Sequence, residues 1–399
     1  MQAANRYPAG RLLLIACLIS FVCFFGSYMR IPIVPLFATS LGADTLQVGM
    51  INGAFMLMAG LLSIPSGLIS DRMGRRLPLL TGLLLLGGSS LLLYLSRTPL
   101  QMAGIYLLFG IGLSAFSPTL MSYVADVTPP EVLGQAYGWY TMALYGGMTL
   151  GPAAGGFLSS VLGLRPVFLV SGGLILAMFV VTLLALPNQG ANRCGGSTKP
   201  CPPIVPMLRT LTKNRRLMAC LVATAGGCIG FGMFVTFMPL YIRSMGMHTT
   251  QIGLVFATQA LANAFSRLPS GKLCDRVTDR SQLVSGGLAL FALALAAFSL
   301  CNSVLTLMAV AAVMGISMGT AFTVVSALVV DAVPREMRGL ALGCYNTSIY
   351  AGMMVSSIGM GAVIREAGFK TGYLLSGAVG LVVLLLFRRL YRRQRAAIQ

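Results

Sequence analysis

Long apolar runs alternate with short polar segments along nearly the whole chain. A helix needs about 20 predominantly apolar residues to cross the hydrocarbon core of a membrane, and the runs reach that length. Cutting the chain at its polar and turn-forming residues predicts twelve spanning helices, over 12–38, 46–68, 78–96, 99–124, 135–160, 164–186, 216–242, 250–270, 281–301, 304–330, 339–363 and 369–388. The predicted fold class is therefore an all-α integral membrane protein with twelve transmembrane helices.

One longer polar stretch interrupts this pattern near the middle of the chain. From Pro187 to Arg216 the sequence contains Pro, Gly and Ser together with six basic residues, a composition typical of a linker. We expect an N-terminal six-helix bundle over 1–186, a linker over 187–215, and a C-terminal six-helix bundle over 216–399 that ends in a basic tail.

The two predicted bundles share sequence blocks at an almost constant offset. At an offset of 204 residues, Gly67-x3-Asp71-Arg72 recurs as Gly271-x3-Asp275-Arg276, and Pro35-Leu36-Phe37 recurs as Pro239-Leu240-Tyr241. At an offset of 205, the block from Asp126 to Tyr145 recurs from Asp331 to Tyr350. Repeated bundles are typical of alternating-access transporters, whose substrate site lies at the repeat interface near the membrane midplane. The two bundles are therefore expected to be pseudo-symmetric.

Composition excludes a soluble protein. Hydrophobic residues make up 56% of the 399 residues and charged residues 9%, against about 25% charged residues in ordinary globular domains. The net charge of +19 is also found in nucleic-acid-binding proteins, but here 21 of the 28 Lys and Arg residues fall on one side of the predicted topology. Cytoplasmic loops carry such an excess in multi-pass proteins. We expect no nucleic-acid partner, a location in the cytoplasmic (inner) membrane, and cytoplasmic termini and linker.

The sequence offers no recognisable catalytic chemistry. It contains no paired nucleophile and base, no cofactor motif, no phosphate-binding loop and no cluster of metal ligands. We expect a protein that is not an enzyme and that uses no metal and no cofactor. Its expected partners are a small-molecule substrate and membrane lipid, and its expected state is a monomer.

The segment between the second and third spans reads Gly67-Leu-Ile-Ser-Asp71-Arg72-Met-Gly74-Arg75-Arg76. It resembles the most specific signature of the major facilitator superfamily, and the chain resembles the twelve-helix drug and multidrug exporter branches along its whole length. The resemblance implies the major facilitator fold and a gate that joins the two halves when the cytoplasmic side is closed. The expected gating residues are Gly67, Asp71, Arg72, Gly74, Arg75, Arg76, Asp126, Asp275, Arg276 and Arg338.

The expected contacts of this gate follow from charge and position. Asp71 can face the N-terminus of the eleventh span near Gly339, where the helix dipole favours an anion, with Arg338 as a further partner. Arg75 can reach Asp126 at the inner end of the fourth span. The alternative is a basic loop that only fixes the topology.

The fifth span contains glycines at spacings that resemble the antiporter motif of the drug-export branches. The motif residues are Gly138, Gly147, Gly151, Pro152, Gly155 and Gly156. Small residues permit close helix packing, and in the resembling family this motif seals the outer side in exporters. Ordinary small-residue packing is the alternative interpretation.

Two arginines, Arg30 and Arg267, fall inside predicted spans, where a charge is costly and marks a candidate functional site. Arg30 lies beside Pro32 and Pro35. It either faces the central cavity as a fixed cation for an anionic substrate or reaches the outer interface or helix-end carbonyls. For Arg267, near the inner boundary, we expect structural pairing with carboxylates of the inner loops.

Polar and aromatic residues on spans that line the cavity in the resembling family complete the candidate site. With Arg30, they are Tyr28, Asn52, Tyr123, Tyr145, Gln259, Asn263, Asn346 and Tyr350. Tyr145 and Tyr350 are repeat mates, so symmetry predicts that they face each other across the cavity. For each residue taken singly, a packed position with a satisfied polar group is the alternative.

These observations predict a secondary transporter that exports small drug-like or amphipathic molecules by alternating access. Protons are the coupling ion that the resemblance implies. However, all nine carboxylates fall in predicted loops or helix ends, and Tyr106 replaces the family's usual arginine in the fourth span. Asp126 at the inner mouth remains as a proton carrier. The alternative function is a facilitator or importer of an anionic metabolite, with Arg30 as the counter-ion.

Overall fold

The computed structural model describes residues 9–129, 132–187, 204–277, 279–334 and 337–395. Within these ranges the chain is largely helical and contains no β-strand. A short 3-10 helix, Phe298–Leu300, follows the eleventh α-helix. The α-helices are α1 (Ala9–Met29), α2 (Ile33–Ser40), α3 (Thr45–Met73), α4 (Arg76–Leu95), α5 (Pro99–Val127), α6 (Leu133–Leu162), α7 (Leu164–Ala185), α8 (Ile204–Lys213), α9 (Arg215–Ser244), α10 (Thr249–Arg276), α11 (Arg280–Ala297), α12 (Val304–Asp331) and α13 (Arg338–Arg395).

Nine segments of the described chain are long and apolar enough to cross a membrane. One of them, Gly10–Ser40, combines α1 and α2, and another, Leu340–Tyr391, is 52 residues long, which is enough for two passes. The chain turns between these two passes at Gly368, whose φ of 81° suits glycine. Helices α6 and α10, with 30 and 28 residues, are also long enough for one pass each. The predicted twelve-pass α-helical architecture is confirmed.

The first pass is broken between α1 and α2. Pro32 precedes α2 and has no backbone N–H, so it does not continue the hydrogen-bond ladder of α1. At the break, two backbone hydrogen bonds join residues three positions apart instead of the four of an α-helix. Ile31 N–H donates to Tyr28 O at 3.1 Å, and Ile33 N–H donates to Arg30 O at 3.0 Å. Arg30 therefore lies in the break itself rather than inside a continuous helix.

The passes pack as two groups. In the first half of the chain α1 packs on α6 and α7, α3 on α5, and α4 on α5 and α7. In the second half α9 packs on α13, while α12 packs on α10 and α11. The groups meet along two helix pairs, α3 with α13 and α6 with α10. Helix α8 lies in the stretch predicted as a linker and contacts α9, whereas residues 188–203 of that stretch lie outside the described chain.

Equivalent turns begin α3 and α10, one in each half. Asp44 accepts a hydrogen bond from Gln47 N–H at 2.7 Å, and its own N–H donates to Gln47 Oε1 at 3.1 Å. At the position 204 residues later, His248 N–H donates to Gln251 Oε1 at 2.8 Å. Such reciprocal bonds satisfy donors that a helix N-terminus leaves free. The sequence repeat is thus also a repeat of local structure.

Candidate functional site

A cavity of about 190 Å³ lies between the two halves. The first half contributes side chains from α1, the adjoining break and α6, and the second half contributes side chains from α9, α10 and α12. Most of the wall is aromatic, aliphatic or thioether, as in small-molecule sites that use a few polar groups for orientation. The lining residues are Tyr28, Ile31, Tyr145, Met148, Thr149, Pro152, Phe231, Phe234, Val235, Phe256, Gln259, Ala260, Asn263, Arg267 and Met318.

Three polar side chains of this wall lie on one face of α10. Gln259, Asn263 and Arg267 are spaced four residues apart, so they project from the same side of the helix. Arg267 Nε donates to Asn263 Oδ1 at 3.0 Å, and the guanidinium carbon lies 4.3 Å from the ring centroid of Tyr145 on α6. This stacking contact joins the two halves beside the cavity.

Arg267 was expected to pair with inner-loop carboxylates. Among the residues that the structure describes, it forms no ion pair within 4.0 Å, and its contacts are with Asn263 and Tyr145. Arg267 is the charged residue of the cavity wall, and the sequence did not predict it there. The spacing of Gln259, Asn263 and Arg267 was the signal that would have revealed it, because two of the three were already candidates on that face.

The predicted cavity residues divide into two sets. Tyr28, Tyr145, Gln259 and Asn263 line the cavity. Four others have different surroundings: Asn52 is buried and donates to Val48 O at 3.5 Å, Tyr123 is buried in the first half, Tyr350 packs against Gly60 of α3, and Asn346 is exposed on α13.

Arg30 is fully buried within the first half and does not line the cavity. Its guanidinium carbon lies 3.6 Å from the ring centroid of Phe109, and Nη1 donates to Ser90 Oγ at 2.8 Å. Its Nε and Nη2 have no hydrogen-bond partner among the described residues. Neither the exposed position at the outer interface nor the cavity position expected from the sequence matches this geometry.

Two ion pairs lie at the end of the molecule that contains Arg75, Asp126, Arg280 and Asp331, and this end is here called the basic end. Arg75 Nε lies 2.9 Å from Asp126 Oδ2, the contact that charge and position predicted, and Arg75 Nη1 also donates to Ser70 Oγ at 3.0 Å. The second half has a similar pair, in which Arg280 Nη1 lies 2.6 Å from Asp331 Oδ2, and Asp331 is the repeat mate of Asp126. Each pair joins the start of one helix to the end of another within its own half, α4 to α5 in the first half and α11 to α12 in the second.

The remaining predicted gating residues lie at the same end. Gly74 ends α3 with a φ of 83°, and Arg76 Nη2 donates to Leu183 O at 2.6 Å. Gly67 has open space beside it, Arg276 ends α10, and Arg338 begins α13 with Nε lacking a hydrogen-bond partner in the described chain. The side chains of Asp71, Arg72 and Asp275, and the expected contact of Asp71 near Gly339, lie outside the described part.

The glycines of α6 divide between two contacts. A Cβ on Gly147, Gly151 or Gly155 would meet the backbone of α1, with Gly155 directly against the Met29 carbonyl oxygen. A Cβ on Gly156 would instead lie 2.6 Å from Thr249 O of α10, in the other half. Gly138 has open space beside it, and the helix continues through Pro152.

The halves are also in contact at the end opposite the basic end. Thr45 Oγ1 donates to Gly361 O at 2.9 Å, and Arg365 lies 3.5 Å from Asp44. Together with the contact of Gly156 on α10, these interactions join the two halves at that end. A larger pocket of about 800 Å³ opens beyond them, among Ser, Thr, Arg243 and His248 side chains, and contains none of the predicted cavity residues.

Comparison with known proteins agrees with this architecture. The family model described as Major Facilitator Superfamily matches residues 16–251 and 242–398, which together span nearly the whole chain. The chain belongs to the Major Facilitator Superfamily. It is therefore a membrane transporter and not an enzyme, as the sequence predicted.

Two relatives within the superfamily align with the chain over most of its length. The chain is 24% identical over 369 residues to the uncharacterized MFS-type transporter MJ1560 of Methanocaldococcus jannaschii, covering 91% of this chain and 94% of that protein. It is 26% identical over 395 residues to the multidrug resistance protein MdtG of Escherichia fergusonii, covering 96% and 95%.

Solved structures of superfamily members share the fold. A bacterial homolog of the human lysosomal transporter Spinster, inward-facing and unoccupied, aligns with a TM-score of 0.78 at 16% identity and covers 98% of this chain and 96% of that one. The nucleoside transporter NupG aligns with a TM-score of 0.77 at 14% identity, covering 95% and 100%. At these identities the likeness concerns the fold alone.

Proposed function

We propose that this superfamily member is a monomeric secondary active transporter that exports small amphipathic organic molecules across the cytoplasmic membrane by alternating access. The observation that carries the proposal is the cavity between the halves. Its wall combines Phe, Met and Tyr side chains with a short polar row on α10, which suits a molecule with a large apolar part and one polar group.

The proposed motion is a rocking of the two halves about this cavity. The halves meet along α3–α13 and α6–α10, so the cavity opens to one side when either end of these pairs separates. The α6 glycines support export as the direction, because Gly156 allows α6 to lie directly against α10 at the end opposite the basic end. The multidrug resistance function named for MdtG points the same way.

The basic end is assigned to the cytoplasm, with both termini there. The support is the charge count, in which 21 of 28 Lys and Arg residues fall on that side of the topology. Asp71, Arg72, Arg75 and Asp126 are proposed to form the gate at that end. The described pair of Arg75 with Asp126 would hold the α3–α4 loop against the end of α5.

Protons are proposed as the coupling ion, with Asp126 as the carrier. None of the residues that line the cavity is a carboxylate, so an acidic carrier has to lie outside it. Asp126 is partly exposed near the end of α5. The alternative function used Arg30 as a counter-ion, and it has less support because Arg30 lies away from the cavity.

Transport in membrane vesicles of known orientation tests this proposal. Everted vesicles that contain the protein should accumulate a small fluorescent dye, either the neutral 7-methoxycoumarin or the anionic 7-methoxycoumarin-4-acetate, when the lumen is acidified, and nigericin should abolish that accumulation. Asp126→Asn should bind the dye but lose its response to the pH gradient, with Asp331→Asn as the matched control. Uptake by right-side-out vesicles alone would contradict export, and accumulation that survives nigericin would contradict proton coupling.

A further inference from the structure

The cavity carries a net positive charge. Arg267 is the one charged side chain among the residues that line it, and no Asp or Glu lies in that wall. An organic cation in this space would face an uncompensated guanidinium at short range, where the low dielectric strengthens the repulsion. A bound anion would instead remove the cost of holding that charge within the membrane.

The Arg267 guanidinium also has N–H donors available for hydrogen bonds to a ligand. Its Nε is bound to Asn263, and its face lies on the Tyr145 ring, but its two terminal nitrogens make no hydrogen bond to a described residue. These contacts fix the plane of the side chain and leave the outer edge of the fork free. That edge matches the two oxygens of a carboxylate.

The apolar side chains of the cavity wall determine which non-polar groups of a substrate can bind. Phe231, Phe234 and Phe256 from α9 and α10 lie with Met148 and Met318 around the same space. Aromatic rings and thioethers bind apolar and aromatic groups without strict shape requirements. A volume of about 190 Å³ is below the ~300 Å³ at which drug-sized pockets begin, so the cavity suits a small molecule.

From this arrangement we infer that Arg267 is the recognition residue for an anionic substrate group, and that the transported molecule is a small aromatic or aliphatic organic anion, such as a carboxylate. The inference rests on the proposed function and narrows its substrate class. Because Tyr145 belongs to the first half and Arg267 to the second, the anion is held at the interface that moves during transport.

The test uses three compounds that differ in charge at nearly constant size, namely phenylacetate, 2-phenylacetamide and 2-phenylethylammonium. Thermal unfolding of the purified full-length protein is measured with each compound. Phenylacetate should raise the Tm of the wild type by about 2 °C or more at saturation, and 2-phenylethylammonium should not. Equal shifts with all three compounds would overturn the inference.

Variants assign the selectivity to one residue. Arg267→Gln should lose the phenylacetate shift, and Arg267→Lys should keep part of it, because Lys keeps the charge but lacks the planar fork. The control is Arg30→Gln, which removes the other intramembrane arginine and should keep the full shift relative to its own baseline. An undiminished phenylacetate shift in Arg267→Gln would overturn the inference. If that variant does not fold, the inference is tested by the selectivity of the wild type among the three compounds and by the phenylacetate shift of Arg267→Lys.

The outcomes separate this inference from the proposed function. If the neutral compound or the cation stabilises the protein while phenylacetate does not, the proposed function as a transporter of organic molecules is retained and the inferred specificity for anions is wrong. If no compound of any charge shifts the Tm and none crosses vesicle membranes, the proposed substrate class itself is wrong and the inference fails with it.

Discussion

The two halves place different chemistry at equivalent positions. On α10, the cavity face carries Gln259, Asn263 and Arg267, whereas the positions 204 residues earlier on α3 are Phe55, Ala59 and Ser63. Phe55 packs on Phe109 of α5 with ring centroids 5.3 Å apart. The duplicated fold therefore supports an apolar packing surface in one half and a polar recognition surface in the other.

The intramembrane arginines show the same asymmetry. The repeat mate of Arg30 is Phe234, which lines the cavity, while Arg30 itself is buried against Phe109 and Ser90. Arg267 is only partly buried and stacks on a ring of the opposite half. An arginine inside a membrane protein is thus structural or functional according to its surroundings, and its place in the sequence does not decide between the two.

The largest expected effect on stability comes from removing Arg30, and the comparison is with removal of Arg267. Arg30→Ala should reduce the free energy of unfolding by about 3 kcal/mol, because it leaves a cavity and removes the stack on Phe109. Arg267→Ala should cost about 1 kcal/mol or less, since the side chain borders a cavity already present. Thermal unfolding of both variants checks the order, and a greater loss of stability in Arg267→Ala would reverse the comparison.

The α6 glycines separate packing within a half from packing between halves. Gly155→Val should lower stability by about 2 kcal/mol, because the added side chain meets the Met29 carbonyl oxygen inside the first half. Gly156→Val should reduce stability less, because the added side chain would meet Thr249 of α10 in the other half. It should slow transport at least about tenfold, because it would hinder the approach of α6 to α10. A tenfold change corresponds to about 1.4 kcal/mol on a rate-limiting barrier.

Gly138→Val is the matched control for both glycine variants, since apart from the adjacent backbone of α6 no described atom lies within 4 Å of a Cβ at that position. Stability and vesicle transport are measured for all three variants. If Gly156→Val transported as fast as Gly138→Val, close packing of α6 on α10 would not be needed in the transport cycle.

The smallest expected effect concerns the paired salt bridges at the basic end. In the first pair the side chains of Arg75 and Asp126 are 18% and 31% exposed, whereas in the second pair Arg280 and Asp331 are 34% and 55% exposed. Asp126→Asn should therefore cost about 1 kcal/mol and Asp331→Asn close to nothing, because solvent screens exposed pairs. Double-mutant cycles with Arg75→Gln and Arg280→Gln measure the two coupling energies, and equal couplings would show that exposure does not set the difference.

Much of the architecture follows from the sequence because it depends on composition and length. Spans of membrane length, the repeat offset and the motif from Gly67 to Arg76 are all properties of the linear chain, and they predicted the twelve passes and the superfamily. The sequence also selected four residues that line the cavity, Tyr28, Tyr145, Gln259 and Asn263. It did so from the helix on which each lies and from its polar or aromatic character.

Only the tertiary structure decided which arginine meets the cavity. Both Arg30 and Arg267 are charged residues in apolar spans, and the hydropathy of the sequence does not distinguish a buried arginine from one that lines a cavity. The break at Pro32 and the packing of α1 against α5 place Arg30 on Phe109. The four-residue spacing on α10 aligns Arg267 with Asn263 and directs it toward Tyr145. The physical reason is that a helix face acquires its environment from the helices packed against it, and those neighbours are distant in the sequence.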